Sequence, residues 1–371
     1  MEERYSATMI LSAVGDAIGY KNGIWEFERN PNAIYKQYCD IGMVDGIKVN
    51  PREWRVSDDT IMHIATAVAI SRPTKKPLQG DELFNRNCEK IAKKYIKCME
   101  TMAGRAPGRQ TIMSVSLMTP GMRKTKLNWN EIPYAPSGGG CGGSMRSMCI
   151  GLKYYSPEAE DELIRYAIES GRITHNHPVG FLGALVSSLF TAYAIRGIPA
   201  REWGTRFYDQ VLPKAKEYLT NSQSQPNRTM AQYEKGINYF ENAWKSYLEL
   251  RSIPLKVESI GSDYPKFPAK YENIERDNFY HSISFDGWGG SSGHDSVLIA
   301  YDALLGSGNN WKEMIERSAI HGGDSDSTAA IGCAWWGAIH GFEGVPDQNT
   351  KSIEFGRELF NLAKEIYNLR K

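Results

Sequence analysis

The chain has 371 residues, 23% of them charged and 41% hydrophobic, with a formal net charge of +1. That length can bury a large core, and the near-neutral balance leaves no electrostatic footprint for nucleic acid or an anionic membrane. Met1-Glu2-Glu3-Arg4 leads into no signal-peptide pattern, and the six cysteines, at 39, 88, 98, 141, 149 and 333, show no CxxC or paired spacing. They are expected to be reduced thiols of a cytoplasmic protein.

In chain order, Glu26 stands first among the candidate functional groups, between Trp25 and Phe27. Flanking aromatics can desolvate a carboxyl and raise its pKa toward acid–base use, although glutamates beside aromatics are commonly plain surface residues. Ser57-Asp58-Asp59-Thr60 then opens an apolar run, Ile61 to Ile70. Phe84, Cys88, Ile91, Tyr95 and Cys98 step by 4, 3, 4 and 3 from an expected cap at Asp81, the spacing of one buried helix face. Pro/Gly-rich breaks at 104–108 and 119–143 are expected to be loops within one domain.

Ser137-Gly138-Gly139-Gly140-Cys141-Gly142-Gly143-Ser144-Met145-Arg146 is a glycine-dense loop ahead of a short helical stretch. Gly138, Gly140 and Gly143 spell GxGxxG, but Pro133-Tyr134-Ala135-Pro136 stands where a dinucleotide fold needs a strand, so that fingerprint is rejected. Glycines still let backbone N–H groups approach an anion closely, with a flexible turn as the alternative. His175-Asn176-His177 has no third ligand at metal spacing and reads as structural. Val179 to Ile195 runs seventeen residues without a charge. A central helix buried on all sides explains it better than a membrane span, because it stands alone and holds Gly, Ser and Thr.

The stretches Leu163 to Ser170, Met230 to Tyr247, Ser296 to Leu305 and Ile353 to Leu369 carry further 3.6-period stripes. Asn227-Arg228-Thr229 spells a glycosylation sequon, without meaning unless the chain is secreted. Gly287-Trp288-Gly289-Gly290-Ser291-Ser292-Gly293-His294-Asp295 is a second glycine-rich loop heading a helix, to be capped by Asp295 or Ser296. Last comes His321-Gly322-Gly323-Asp324-Ser325-Asp326-Ser327-Thr328, just ahead of an apolar run. Asp324-x-Asp326-x-Thr328 also spells the DxDxT of aspartate-nucleophile phosphatases, but Ile320-His321-Gly322-Gly323 cannot make the buried strand that motif ends. By itself such a run is an over-decorated N-cap. Two acid-bearing helix mouths, at 57–60 and 324–328, instead call for something positive between them, and oxygen-only ligands favour a hard cation, Mg²⁺ before Zn²⁺. With helical stripes throughout, no alternating strands and no linker, the expected fold is an all-α, single-domain orthogonal helical bundle spanning 1–371.

Gly322 to Ala330, Val56 to Thr60 and Ser12-Ala13-Val14-Gly15-Asp16-Ala17-Ile18-Gly19 resemble the signature blocks of the ADP-ribosylglycohydrolase family. Trp25-Glu26-Phe27, Gly171 to Pro178 and Gly287 to Asp295 resemble its ADP-ribosylarginine hydrolase branch, and the resemblance runs from about Tyr5 to the C-terminal helix. It implies the same helical fold and hydrolysis of the N-glycosidic bond between ADP-ribose and a protein arginine, acting on mono-ADP-ribosylated proteins as a monomer. Two Mg²⁺ would be held by Ser57 or Thr60, Asp58, Asp59, Asp324, Asp326 and Ser327. Glu26, or a metal-bound acid from Asp58 and Asp59, would act on the attacking water, while Asp16 is a buried supporting acid. The resemblance places the ADP-ribose diphosphate on Gly140, Cys141, Gly142, Gly143 and Ser144 with His175 nearby, and sets Gly289 and Ser291 along the ribose and arginine end. Ser144 departs from the family's alanine there and could add a hydrogen bond. Alternatives are an ADP-ribose-binding pseudoenzyme, which the surviving acids disfavour, and a hydrolase of serine-linked or O-acetyl ADP-ribose.

Overall fold

The computed structural model describes residues 1–72, 78–122, 126–222 and 228–370. Among these the fold is all-α, with no strand and a lone β-bridge between Gly140 and Ser292. One contiguous cluster of buried apolar side chains runs from Tyr5 to Ile366. At its centre lies the helix Pro178–Arg196, long and apolar enough to cross a membrane, yet buried along its whole apolar window inside the protein. His177 caps it by accepting the Val179 N–H at 3.2 Å, Pro178 sits at its first position, and Gly197 ends it at φ 74°. Those are the start and stop signals that physical chemistry assigns to such residues.

The helices Glu160–Arg172, Met148–Lys153 and Ser325–His340 pack around this central one, and Asp58–Ser71 lies against Gly80–Cys98. The tightest pairing joins the first helix, Glu2–Tyr20, to Ser325–His340. Glycine makes it possible: a Cβ on Gly15 would lie 2.3 Å from the Ala329 carbonyl oxygen, and one on Gly19 would lie 2.4 Å from that of Ser325. Both neighbours are backbone, so neither can yield cheaply. Ser325 Oγ donates to Gly19 O at 3.0 Å, locking the register.

Several element ends differ from the sequence expectation. The helix expected from an Asp81 cap starts earlier, at Gly80 with Gln79 as its cap. Asp81 falls in the first turn, where it suits the helix dipole and pairs with Arg165 at 2.7 Å. The last helix begins at Gly356, three residues beyond Ile353, because Phe355 turns the chain at φ 60°. The helix Asp295–Ser307 is preceded by His294, and Asp295 uses its carboxylate to accept the Ser292 N–H at 2.8 Å. The break at 119–143 holds a short helical turn, Trp129–Glu131, and includes residues 123–125, which lie outside the described residues. Asn227 of the sequon lies outside them too.

Candidate functional site

Two helix mouths and two glycine loops converge on one buried acidic pocket. At the first mouth, Ser57 caps the helix Asp58–Ser71 by accepting the Asp59 N–H at 3.0 Å. Asp16, carried on the first helix, accepts the N–H groups of Ser57 and Thr60, each at 3.0 Å, and also the Thr60 hydroxyl. Asp16 therefore ties the first helix to the mouth of the helix Asp58–Ser71 and holds the turn that carries Asp58 and Asp59. At the second mouth the Asp324 side chain makes no capping bond. The inward-facing hydroxyls are spent on the scaffold, Ser325 on Gly19 and Thr328 on Ser318 O at 2.7 Å. Asp324, Asp326 and Ser327 remain for the pocket. His321–Gly323, which precedes them, is a bend and not a strand, as the rejection of the phosphatase motif requires.

Glu26, Asp324 and Asp326 each offer a carboxylate oxygen within 4.8 Å of the others. Glu26, Asp58, Asp59, Asp324 and Asp326 are all buried, and among the described residues none forms an ion pair. Burial first, then repulsion from Asp326, Asp324 and Asp58, pushes the Glu26 carboxyl up to about 11. Burial and Asp326 raise Asp16 to about 7 against the hydrogen bonds it accepts from Thr60 and Ser57. Asp58, Asp59 and Asp326 are likewise held well above the carboxylate range, by burial and then by one another. Glu26 Oε2 and Asp59 Oδ2 are buried with no hydrogen-bond partner. So many converging carboxyls with orphaned oxygens fit a cation: a positive charge there supplies the missing ligand and opposes the mutual repulsion that helps to raise these carboxyls. The donors are mostly oxygen, the chemistry of a hard ion.

The glycine loops are joined backbone to backbone. Cys141 N donates to Ser291 O at 2.9 Å, and Gly293 N donates to Gly139 O at 2.8 Å. Cys141 also links its loop to the acids, its thiol donating to Asp324 Oδ2 at 3.2 Å. The Ser327 hydroxyl lies 3.5 Å from that sulfur. The second loop holds the acid helix directly, since Gly289 O accepts the Asp324 N–H at 2.9 Å. A Cβ on Gly142 would lie 2.5 Å from the His175 ring, and Gly140 lies against the same imidazole. Burial depresses His175 to about 3, so the ring is neutral. Its Nδ1 is 2.8 Å from Thr174 Oγ1, which in turn accepts from the buried Arg146 guanidinium at 2.7 Å. This chain orients Nε2 toward the glycine loop. His177, by contrast, caps the central helix and stacks on Tyr134, so the two histidines of the HxH face different work. The Ser144 hydroxyl is engaged within the protein, at 2.7 Å from both Cys141 O and Ser296 Oγ. The Ser291 hydroxyl likewise donates within its own loop, to Trp288 O at 2.8 Å.

Sequence reasoning missed how much of the site is supporting structure. Nothing in the motifs marks Arg146 and Thr174 as the pair behind His175. Nor does the sequence show that Glu26 joins Asp324 and Asp326 as a possible cation ligand, since their separation in the chain hides their closeness.

An all-α scaffold with a cation-competent acid cluster between helix mouths, flanked by glycine loops, defines the class of protein. The comparisons with known proteins name the family. A sequence profile described as ADP-ribosylglycohydrolase matches residues 1–371. The chain is 58% identical over 375 residues to ADP-ribosylhydrolase ARH1 of Dictyostelium discoideum, across 99% of this chain and 94% of that protein. It is 27% identical to a putative ADP-ribosyl glycohydrolase, L444, of Acanthamoeba polyphaga mimivirus, across 95% of this chain and 68% of that one. In fold it resembles a solved structure named ADP-ribosylglycohydrolase-related protein complex, with TM-score 0.56 at 14% identity, covering 100% of this chain and 99% of that one. The chain belongs to the ADP-ribosylglycohydrolase family and is a hydrolase.

Proposed function

We propose that the protein hydrolyses the N-glycosidic bond joining ADP-ribose to arginine in mono-ADP-ribosylated proteins. The observation that carries this reading is the buried, unpaired cluster of Glu26, Asp58, Asp59, Asp324 and Asp326 beside two glycine loops. A planar, cationic guanidinium suits such a pocket, where a neutral serine ether gains nothing from it. Six free cysteines and a near-neutral surface are compatible with a cytoplasmic monomer.

Asp58, Asp59, Asp324 and Asp326, with Ser57, Thr60 and Ser327 at the same mouths, would hold two Mg²⁺, and Glu26 is close enough to join them. Bound there, the ions would supply positive charge for the ribose hydroxyls and the attacking water. The chain's own groups do the rest. Backbone N–H groups of Gly140, Gly142 and Gly143 take the diphosphate, the Cys141 N–H being spent on Ser291 O, with the neutral His175 ring set against them. Glu26 or Asp59 accepts the proton of the attacking water. The water oxygen bonds to the anomeric carbon as the C–N bond breaks, and its electron pair stays on the guanidine nitrogen. That nitrogen then takes up the proton and leaves as guanidinium, so the reaction consumes one water and no net proton. Carboxylates around the ring favour the oxocarbenium character that builds up.

The test is to incubate the protein with ADP-ribosylarginine and ADP-ribosylserine peptides, with and without Mg²⁺, and follow ADP-ribose release. Metal-dependent release from arginine is expected. Equal kcat/KM on both peptides would put specificity elsewhere, and ADP-ribose binding without any release would make the protein a binder. Full activity in excess EDTA, with the metal content shown to be nil, would sink the metal requirement.

A further inference from the structure

Beside the acid cluster, two aromatic side chains from separate loops come together. The rings of Phe27 and Trp288 lie 6.2 Å apart, tilted by 39°. Phe27 is 53% exposed, although its neighbours Trp25 and Glu26 are buried. The Arg29 guanidinium sits over the Trp288 ring, 4.5 Å from its centroid. Among the described residues Arg29 forms no ion pair, although a cleft of about 300 Å³ beside it carries Asp277 and Asp286. With no ion pair to hold it among the described residues, the exposed arginine lies over the ring face, the arrangement in which an indole attracts a guanidinium.

The position of the ring matters as much as its chemistry. Trp288 precedes Gly289, whose carbonyl holds the Asp324 N–H, and Phe27 follows Glu26. The backbone of Arg29 passes close to Gly322 of the acid-bearing stretch, where a Cβ would lie 2.7 Å from its carbonyl oxygen. The aromatic pair therefore adjoins the acid cluster, and Ser291 links Trp288 to the other glycine loop, its hydroxyl donating to Trp288 O and its carbonyl accepting the Cys141 N–H.

We infer that Trp288, with Phe27 beside it, is the seat for the guanidinium of the target arginine, and that Arg29 fills this seat in the free protein as a built-in competitor. The inference rests on the arginine-linked reading above and adds the residues that would make the choice. A planar cation gains from lying over an indole face, and a serine linkage offers no such group.

The experiment titrates agmatine, a free guanidinium probe, into wild-type protein and the Trp288→Leu, Phe27→Leu and Arg29→Ala variants by calorimetry. ADP-ribose Kd, KM for the ADP-ribosylarginine peptide and a thermal melt are measured on the same preparations. Trp288→Leu should weaken agmatine and raise KM by roughly tenfold, the scale of one cation–π contact. Phe27→Leu, a milder change, should move both the same way by less. Arg29→Ala should do the opposite, tightening agmatine and lowering KM by about threefold or more, an effect that loss of surface packing alone would not give. ADP-ribose Kd should stay within about twofold throughout. Agmatine binding unaltered in both Trp288→Leu and Arg29→Ala would overturn the proposal. So would weaker ADP-ribose with unchanged agmatine in Trp288→Leu, which would assign the ring to the nucleotide. If wild-type protein fails to turn over the arginine peptide while the agmatine series behaves as stated, the seat stands and the arginine-linked reaction falls.

Discussion

The Asp16 carboxylate on the first helix accepts both the hydroxyl and the backbone N–H of Thr60 at the mouth of another. With the Ser57 N–H as a third donor, it fixes the turn from which Asp58 and Asp59 project. Asp16→Ala would leave those donors buried without a partner, a loss on the order of 3 kcal/mol in urea unfolding. It should also weaken divalent-cation binding and cut kcat at least tenfold. Asp16→Asn, which keeps an acceptor, should recover part of the stability. Wild-type cation affinity in a folded Asp16→Ala protein would show that Asp58 and Asp59 are aimed by something else.

Gly19 shows how packing reaches the chemistry. A Cβ there would lie 2.4 Å from Ser325 O and 2.5 Å from Asp326 N, both backbone atoms at the second helix mouth. Gly19→Ala must push that mouth away from the first helix, at a cost of about 1–3 kcal/mol of overpacking. Because the displaced turn carries Asp324 and Asp326, kcat should fall more than stability does, by roughly 10²-fold. A folded Gly19→Ala enzyme at full rate would mean the mouth tolerates the shift.

The sequence made the helices and both acid clusters legible because each signal is local. Apolar periods repeat within one element, and Ser57 and Asp324 stand directly before their helices. The relations between elements were not legible. Asp16 and Thr60 are 44 residues apart, and Cys141 and Asp324 are 183 apart, so no spacing rule connects them. The expected Asp81 cap failed for a different reason: acids favour both the cap and the first turn, and only the backbone decides between them.

Gly142 offers a test of the diphosphate loop apart from the acids. Valine there would meet the His175 ring, from which even a Cβ would be 2.5 Å away. Gly142→Val should therefore weaken ADP-ribose by calorimetry, roughly tenfold or more, by tilting the ring and blocking the backbone N–H groups. Cation binding should change little. Unaltered ADP-ribose affinity would return Gly138 to Gly143 to the role of a plain turn.

Buried histidines give the stability a defined pH dependence. Burial depresses His63 to about 3, with its Nε2 accepting the Cys149 N–H at 3.2 Å. Its folded pKa lies below the unfolded value of about 6.5, so the unfolded chain binds the extra proton in acid. The contribution is whole above pH 6.5 and is lost progressively as pH falls below it, about 2 kcal/mol by pH 5. Asp295 runs the other way, since burial lifts it to about 8 and its contribution fades as pH rises toward that value. The quantity to read is therefore the difference between wild type and His63→Gln. That difference should shift toward the variant by about 2 kcal/mol between pH 7 and pH 5. Parallel profiles would mean that folded His63 takes up its proton freely.

Glu26 can be resolved by asking separately about charge, cation and rate. Without a cation, burial and the neighbouring aspartates keep its carboxyl protonated near neutral pH, its pKa pushed up to about 11. Glutamine mimics that neutral form in size and hydrogen bonding. Glu26→Gln should therefore leave the stability of the metal-free protein unchanged within about 0.5 kcal/mol. A cation in the cluster would favour the ionised form of Glu26, and the substitution should then become visible. If Glu26 takes the proton of the attacking water, kcat should fall by roughly 10²–10⁴ while ADP-ribose affinity changes less than about tenfold. If it serves only as a cation ligand beside Asp324 and Asp326, divalent-cation Kd should rise and kcat at saturating cation should recover. Cation Kd, ADP-ribose Kd and kcat at saturating cation, measured on one preparation, separate the two. Wild-type kcat at saturating cation would assign the water to Asp59, whose Oδ2 is the other buried carboxylate oxygen of the cluster without a partner.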